Sequence, residues 1–255
     1  MCKRWLFALV LSLLPAVSPA GDLTGSFAAG KAPYLWTEDN EPHGAEFDIV
    51  RAVMRRAGFG VHVRAMSNNR LIATFAEPGI DFATGLQSAD LQGFCHTAVY
   101  MNYHNVAITK RSRHIVLDSI SDLAPHKVAI RQYLYQDLGL DRPGTGLPAT
   151  LPDSFTEFAL QDQQVRFFFA DRADVIVIDH TIFQWYAKRL DLQTAPGDEL
   201  EYHDIFPRRH GVRAVFKESR LCALFDKNLA AIVADGTYRT IWESYGIDGV
   251  ADPSR

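Results

Sequence analysis

The sequence of 255 residues predicts an α/β fold. Strand-like and helix-like segments alternate along most of the chain, which argues for mixed layers rather than a bundle or a sandwich. The run Ala173-Asp174-Val175-Ile176-Val177-Ile178-Asp179 is apolar through its centre, the pattern of a strand buried on both faces. Residues 228–246 read as an amphipathic helix, an Asp235-Gly236 break, and a second short helix that stops at Gly246.

In chain order, residues 46–57 place Phe47, Val50, Met54 and Ala57 three and four apart, one face of a helix that Gly58 ends. Val61-His62-Val63 alternates as a strand within 60–65. Residues 70–77 form a second short helix carrying Leu71, Ile72 and Phe75, and Pro78-Gly79 turns it into a strand over 80–85. Together these resemble a βαβαβ half of a sheet. Residues 105–110 are a further strand, and 126–130 begin a new unit. A loop rich in glycine and proline follows over 139–152. The pattern then predicts a helix over 154–160, the central strand over 173–179, a helix over 183–190 and a strand over 211–216 before the C-terminal helices.

Lys3-Arg4, an apolar run over residues 5–14, Pro15 and the small residues Ser18-Pro19-Ala20 have the layout of a secretory signal peptide cleaved near Ala20. The run is about half a membrane span. Cys2 precedes the apolar run, a poor position for lipid attachment. Without Lys3 and Arg4, 24 basic residues stand against 30 acidic ones, a net charge of about −6. That balance offers no basic stripe for nucleic acid and suits a periplasmic protein. Cys95 and Cys222 remain after processing, so an oxidising compartment permits one intramolecular disulfide, whereas burial as two free thiols is the alternative. Neither sits in a C-x-x-C pair.

Several short matches occur in a consistent order: Ala32-Pro33-Tyr34, Gly44 with Phe47-Asp48, Gly79-Ile80-Asp81, Ala173-Asp174 with Asp179, and Asp235-Gly236-Thr237-Tyr238. Through them the chain resembles the bacterial extracellular solute-binding proteins of family 3 over residues 25–247. The resemblance implies a two-lobed periplasmic binding fold, each lobe a sheet flanked by helices. Residues 21–108 and 209–255 would form the first lobe and 109–208 the second, with hinge crossings near 108–113 and 205–210. It also implies a monomer that binds a small solute, an amino acid or another polar or aromatic molecule, and serves an ABC-type permease of the inner membrane.

In amino-acid-binding members the aspartate at the position of Asp179 pairs with the ligand's ammonium; here it equally reads as the N-cap of the following helix. Those members also carry an arginine after the strand matching 80–85, whose guanidinium holds the ligand carboxylate. The run Gly85-Leu86-Gln87-Ser88-Ala89-Asp90 has none, leaving Gln87 and Ser88 to face the cleft. Arg70, at a helix start where a cation opposes the helix dipole, is one replacement; Arg131, after Val128-Ala129-Ile130, is the other. The neighbouring Tyr133 stands where the family has a small backbone nest. Tyr34 and Tyr100 are candidates to sandwich a ligand, whereas Trp36 and Tyr103 read as packing at lobe edges. Lys31 reads as a solvated lysine, with pairing to an anionic ligand as the alternative. Asp81 and Asp174 read as structural turn residues.

No G-x-S-x-G, H-E-x-x-H, Walker loop or G-x-G-x-x-G is present. No catalytic residue, cofactor or metal is therefore expected, although His96, His104, His180 and His210 lie near cleft edges. The preferred function is solute capture by hinge closure. The alternatives are an accessory partner of a periplasmic quinoprotein dehydrogenase, favoured by the missing clamp, and an exported dehydratase on the same fold.

Overall fold

The computed structural model describes residues 21–28, 30–66, 68–86, 91, 93–206, 210–247 and 253. The expected signal peptide lies outside them. The strands are β1 (Gly21–Ala28), β2 (Trp36–Glu38), β3 (Glu41–His43), β4 (Phe59–Met66), β5 (Phe82–Leu86), β6 (Cys95–His96), β7 (Met101–Tyr103), β8 (Asn105–Lys110), β9 (Val128–Arg131), β10 (Phe155–Phe158), β11 (Val175–Asp179), β12 (Leu200–His203) and β13 (His210–Phe216). The helices are α1 (Ala45–Arg56), α2 (Asn68–Thr74), α3 (Leu134–Asp137), α4 (Gln161–Phe169), α5 (His180–Arg189), α6 (Ser219–Ala234) and α7 (Thr237–Ser244).

Two sheets organise the chain. The first has the order β4-β1-β5-β13-β6, with β7 also paired to β13. Within it β1 runs parallel to β4 and β5, and β13 returns antiparallel. The second has the order β10-β9-β11-β8-β12, with β11 parallel to β9 and antiparallel to β8. The chain therefore passes between sheets at His104, so the second sheet begins at Asn105 rather than at the boundary expected after residue 108. The run Met101-Asn102-Tyr103-His104-Asn105-Val106 mixes polar and apolar residues into the strand and carries no glycine or proline, so no sequence cue marked that crossing.

β11 is buried along its whole length and separates two cores, as its unbroken apolar run anticipates. Ile176 and Ile178 face a large cluster with Val165, Phe168 and Phe183, while Val175 and Val177 face Leu123, Leu134, Tyr135 and Phe155. The two-residue period of a strand makes this division. The first of these clusters runs on into the other sheet through Tyr34 and Tyr103 to Phe27, Phe82, Phe216 and Phe225.

One element differs in type. The helix expected over 154–160 is the edge strand β10, parallel to β9, and α4 follows it. Phe155 is buried while Thr156 and Glu157 are exposed, and a free edge of β9 supplies the backbone partners that decide for strand. At the C-terminus Gly236 adopts φ 85°, which a glycine takes without strain, and Asp235 Oδ1 accepts the Thr237 N–H at 3.0 Å. Tyr238 and Trp242 then turn inward, and the Tyr238 hydroxyl donates to the Tyr100 carbonyl at 2.9 Å. Cys95 and Cys222 form a disulfide joining β6 to α6 across 127 residues of sequence, which decides between the two expectations.

Candidate functional site

The site grows from the turn that follows β1. Lys31 N–H donates to the Leu35 carbonyl at 2.8 Å, and the Lys31 carbonyl accepts from Tyr34 and Leu35. This tight turn directs the Lys31 and Tyr34 side chains inward; both are more than nine-tenths buried. Helix α1 holds the turn from below, because Ala45 and Glu46 donate their free first-turn N–H groups to the Pro33 and Tyr34 carbonyls at 3.0 and 2.9 Å. Gly44 makes that approach possible: a Cβ there would stand 2.1 Å from the Tyr34 carbonyl oxygen. The same helix entry brings Glu46 to the interior, where its Oε1 accepts the Tyr100 hydroxyl at 2.7 Å.

Asp179, at the end of β11, is the junction of the two sheets. Its Oδ1 accepts the Tyr34 hydroxyl at 3.0 Å and the Ile182 N–H at 3.0 Å, and its Oδ2 accepts the His104 N–H at 2.8 Å. It thus caps α5, fixes the crossing residue and ties the β1 turn to the second sheet. Burial raises its pKa, against the pull of these hydrogen bonds. Tyr34, Tyr100 and Tyr103 have pKa values raised well above the ordinary phenol, chiefly by burial, so all three are neutral donors. Tyr103 packs edge-on against Tyr34 at 5.1 Å, and Tyr34 likewise against Trp242 at 5.6 Å.

Arg131, at the end of β9, is largely buried and bound at once: Nη2 reaches Asp137 Oδ2 at 2.6 Å and Nη1 the Gln132 carbonyl at 3.0 Å. Tyr133, in the left-handed region at φ 63°, is 41% exposed, and its N–H donates to Glu157. Arg70 is exposed on α2. Gln87 and Ser88 lie outside the described residues. Asp81 and Asp174 are the structural residues expected, accepting the Thr24 and Lys127 N–H groups at 2.7 and 3.0 Å.

Two expectations are corrected. Lys31 is not solvated but 7% exposed, with its ammonium 5.8 Å from the Tyr103 ring centroid. Tyr103 is not a lobe-edge residue but part of the interior, and its hydroxyl has no partner among the described residues. Trp36 does lie at an edge, against His43 and, across the lobes, Trp185 at 5.4 Å. Glu46 and Asp137 were not anticipated. Glu46 could have been found: it shares a helical face with Ile49 and Val53, both fully buried. Asp137 carried no such signal, because its approach to Arg131 depends on a single short helix after a left-handed residue.

A groove of about 780 Å³ opens beside this cluster, lined by Pro33, His180, Thr181, Trp185, Lys188 and Tyr245, so both lobes form its walls. Among the described residues, no three His, Cys, Asp or Glu side chains converge as a metal ion would require.

Two sheets flanked by helices, with the chain crossing between them and a cluster of buried polar groups where they meet, form the two-lobed fold of the periplasmic binding proteins. The profile of the bacterial extracellular solute-binding proteins, family 3, matches residues 24–248, and the chain belongs to that family. No curated protein sequence matches the chain significantly. Among solved structures, a histidine kinase sensor domain with similarity to periplasmic binding proteins superposes with a TM-score of 0.75 at 17% identity, covering 91% of this chain and 97% of that one. A substrate-binding protein of an ABC uptake transporter from Streptococcus pneumoniae, with bound histidine, gives 0.71 at 15% identity over 90% and 94%. The arginine-, lysine-, histidine-binding protein ArtJ from Geobacillus stearothermophilus gives 0.68 at 17% over 88% and 94%. At these identities the likeness is one of fold.

Proposed function

We propose that this chain captures a small polar solute, of the amino-acid class, between its lobes in the periplasm and delivers it to an ABC-type permease of the inner membrane. The observation that carries the reading is the meeting of ionisable groups from both lobes in the interior: Lys31, Glu46 and Tyr103, buried, from the first, and buried Asp179 with the largely buried Arg131 and Asp137 from the second. Asp179, Glu46 and the Arg131–Asp137 pair are satisfied internally, whereas among the described residues the Lys31 ammonium and the Tyr103 hydroxyl have no hydrogen-bond partner. Such groups are costly to bury unless they are satisfied, and a polar ligand satisfies them. The S. pneumoniae and Geobacillus neighbours, which bind amino acids and in the former case serve an uptake transporter, support the class of ligand and the permease. Closure links the lobes thermodynamically, because a ligand touching both favours the closed state over the open one.

The test is a thermal-shift screen of the refolded protein against amino acids, polyamines, sugars and aromatic acids. A ligand at 100 times its Kd stabilises by about 2.7 kcal/mol. A flat response across every class would refute capture. It would favour a sensory or accessory role instead, a second reading for which there is one specific observation: Asp179, the residue expected to meet a ligand's ammonium, is already engaged by three internal donors.

A further inference from the structure

Lys31 is a nearly buried lysine whose ammonium finds no hydrogen-bond partner among the described residues. The side chain is 7% exposed, yet among the described residues Nζ has no hydrogen-bond acceptor and no carboxylate within 4.0 Å. A buried ammonium without an acceptor is expensive, and a cation–π contact at 5.8 Å to Tyr103 offsets only part of that cost. Among the described residues, the Tyr103 hydroxyl is a second buried donor with nothing to donate to. Lys31 lies against the bare α-carbon of Gly85, where a Cβ would stand 3.3 Å from Nζ and 3.9 Å from Glu46 Oε1. Glu46 is therefore nearby without forming an ion pair, and its Oε1 is taken by Tyr100.

We propose that Lys31 is the anchor for a carboxylate of the captured solute, with the Tyr103 hydroxyl as the second donor. The proposal rests on the reading of the chain as a solute-capturing protein, and it sharpens that reading to ligands bearing a carboxylate. It also supplies what the segment after β5 lacks. The anion is met from the turn after β1, in the same lobe but on a different element, by a point charge rather than a planar fork. The second lobe faces it with Arg131, whose guanidinium is held by Asp137 and adds to the field without being free to bond.

The groups facing Lys31 are Glu46 from α1, whose Oε1 also holds the Tyr100 hydroxyl, Tyr103 from β7, Arg131 from β9 and Asp137 from α3. Burial, and after it the Arg131 charge, lower the Lys31 pKa to about 8, so the ammonium is present at neutral pH and is lost in the alkaline range. A bound carboxylate returns that pKa upward, and binding then takes up a proton above pH 8. Carboxylate affinity should consequently fall about tenfold between pH 7 and pH 9.

Isothermal titration of the full chain with L-histidine, L-glutamine, L-arginine and succinate, and with putrescine and glucose as carboxylate-free probes, tests this. Two buffers of different ionisation enthalpy at pH 9 read the proton uptake. Expected is binding confined to carboxylates, at least a tenfold loss in Lys31→Met, partial recovery in Lys31→Arg, and proton uptake that Lys31→Met abolishes. Binding of succinate places recognition in the carboxylate alone, and binding of amino acids only adds an ammonium requirement; both support the anchor. A carboxylate that binds Lys31→Met within twofold of the parent, or that binds the parent without proton uptake, overturns it. Binding only by putrescine or glucose overturns the anchor and leaves solute capture standing, whereas no binding by any probe overturns both.

Discussion

Replacing Asp179 decides whether its carboxylate belongs to the scaffold or to a ligand. Asp179→Ala removes the acceptor of three donors: the Ile182 N–H at 3.0 Å, the His104 N–H at 2.8 Å and the Tyr34 hydroxyl at 3.0 Å. Loss of an N-cap costs about 1 kcal/mol. Each further buried donor left without an acceptor costs about 1–3 kcal/mol. The expected destabilisation is therefore about 3–7 kcal/mol in the ligand-free protein. For a chain of this size 1 kcal/mol moves Tm by about 2–4 °C, so a fall of at least about 6 °C is expected. Tyr34→Phe removes one of the three bonds and should cost about 1 kcal/mol. The assay is calorimetric or circular-dichroism melting of protein refolded from denaturant, which strips any bound solute, with the double variant closing a thermodynamic cycle. Tyr34→Phe should cost nothing further in the Asp179→Ala background, because its partner is already gone. If Asp179→Ala melts within about 2 °C of the parent, the carboxylate is not holding the crossing, and the scaffold role is wrong.

Lys31→Met should raise stability at neutral pH. With its folded pKa near 8 against 10.5 unfolded, the lysine imposes a penalty of about 3 kcal/mol below pH 8 that is relieved as pH rises to 10.5. Denaturant titrations of the parent across that window should show stability rising from this group, and the variant should lack the rise. Reducing Cys95–Cys222, or replacing both by serine, should destabilise by about 2–5 kcal/mol, since the bond closes a long loop in the unfolded chain; melting with and without a reductant checks it. Trp36→Ala removes the contact with Trp185 across the lobes and leaves the Arg189–Glu38 pair at 3.6 Å as a weak exposed tie. Small-angle scattering should show a larger radius of gyration for the ligand-free variant than for the parent, and an equal value would show that this clasp does not hold the lobes.

The elements were legible where periodicity and punctuation agreed. The face Phe47, Val50 and Met54, closed by Gly58, gave α1 to within a residue at each end, and the run 105–110 coincides with β8. The C-terminal Asp235-Gly236 break was legible for the same reason, a residue that tolerates positive φ between two amphipathic stretches. β10 was not, because Phe155-Thr156-Glu157-Phe158 suits either period over so short a span, and only the free edge of β9 selects the strand. The site divided along the same line. Asp179 was singled out from its place at the end of a buried strand, with both of its roles in view, but the count of donors that now occupies it is a property of the assembled fold. Arg70 looked suited by its helix position and is exposed, whereas Lys31 looked solvated and is buried.

By itself the sequence determined the α/β class, the family scaffold and the absence of an arginine after β5, because these depend on local pattern and on residue identity. The tertiary structure decided which charges lie inside. Burial of Lys31 follows from the turn held by Gly44 and α1, and pairing of Arg131 with Asp137 follows from the fold of the second lobe. A side chain's solvation depends on what distant segments bring over it, and that information is not local in the chain.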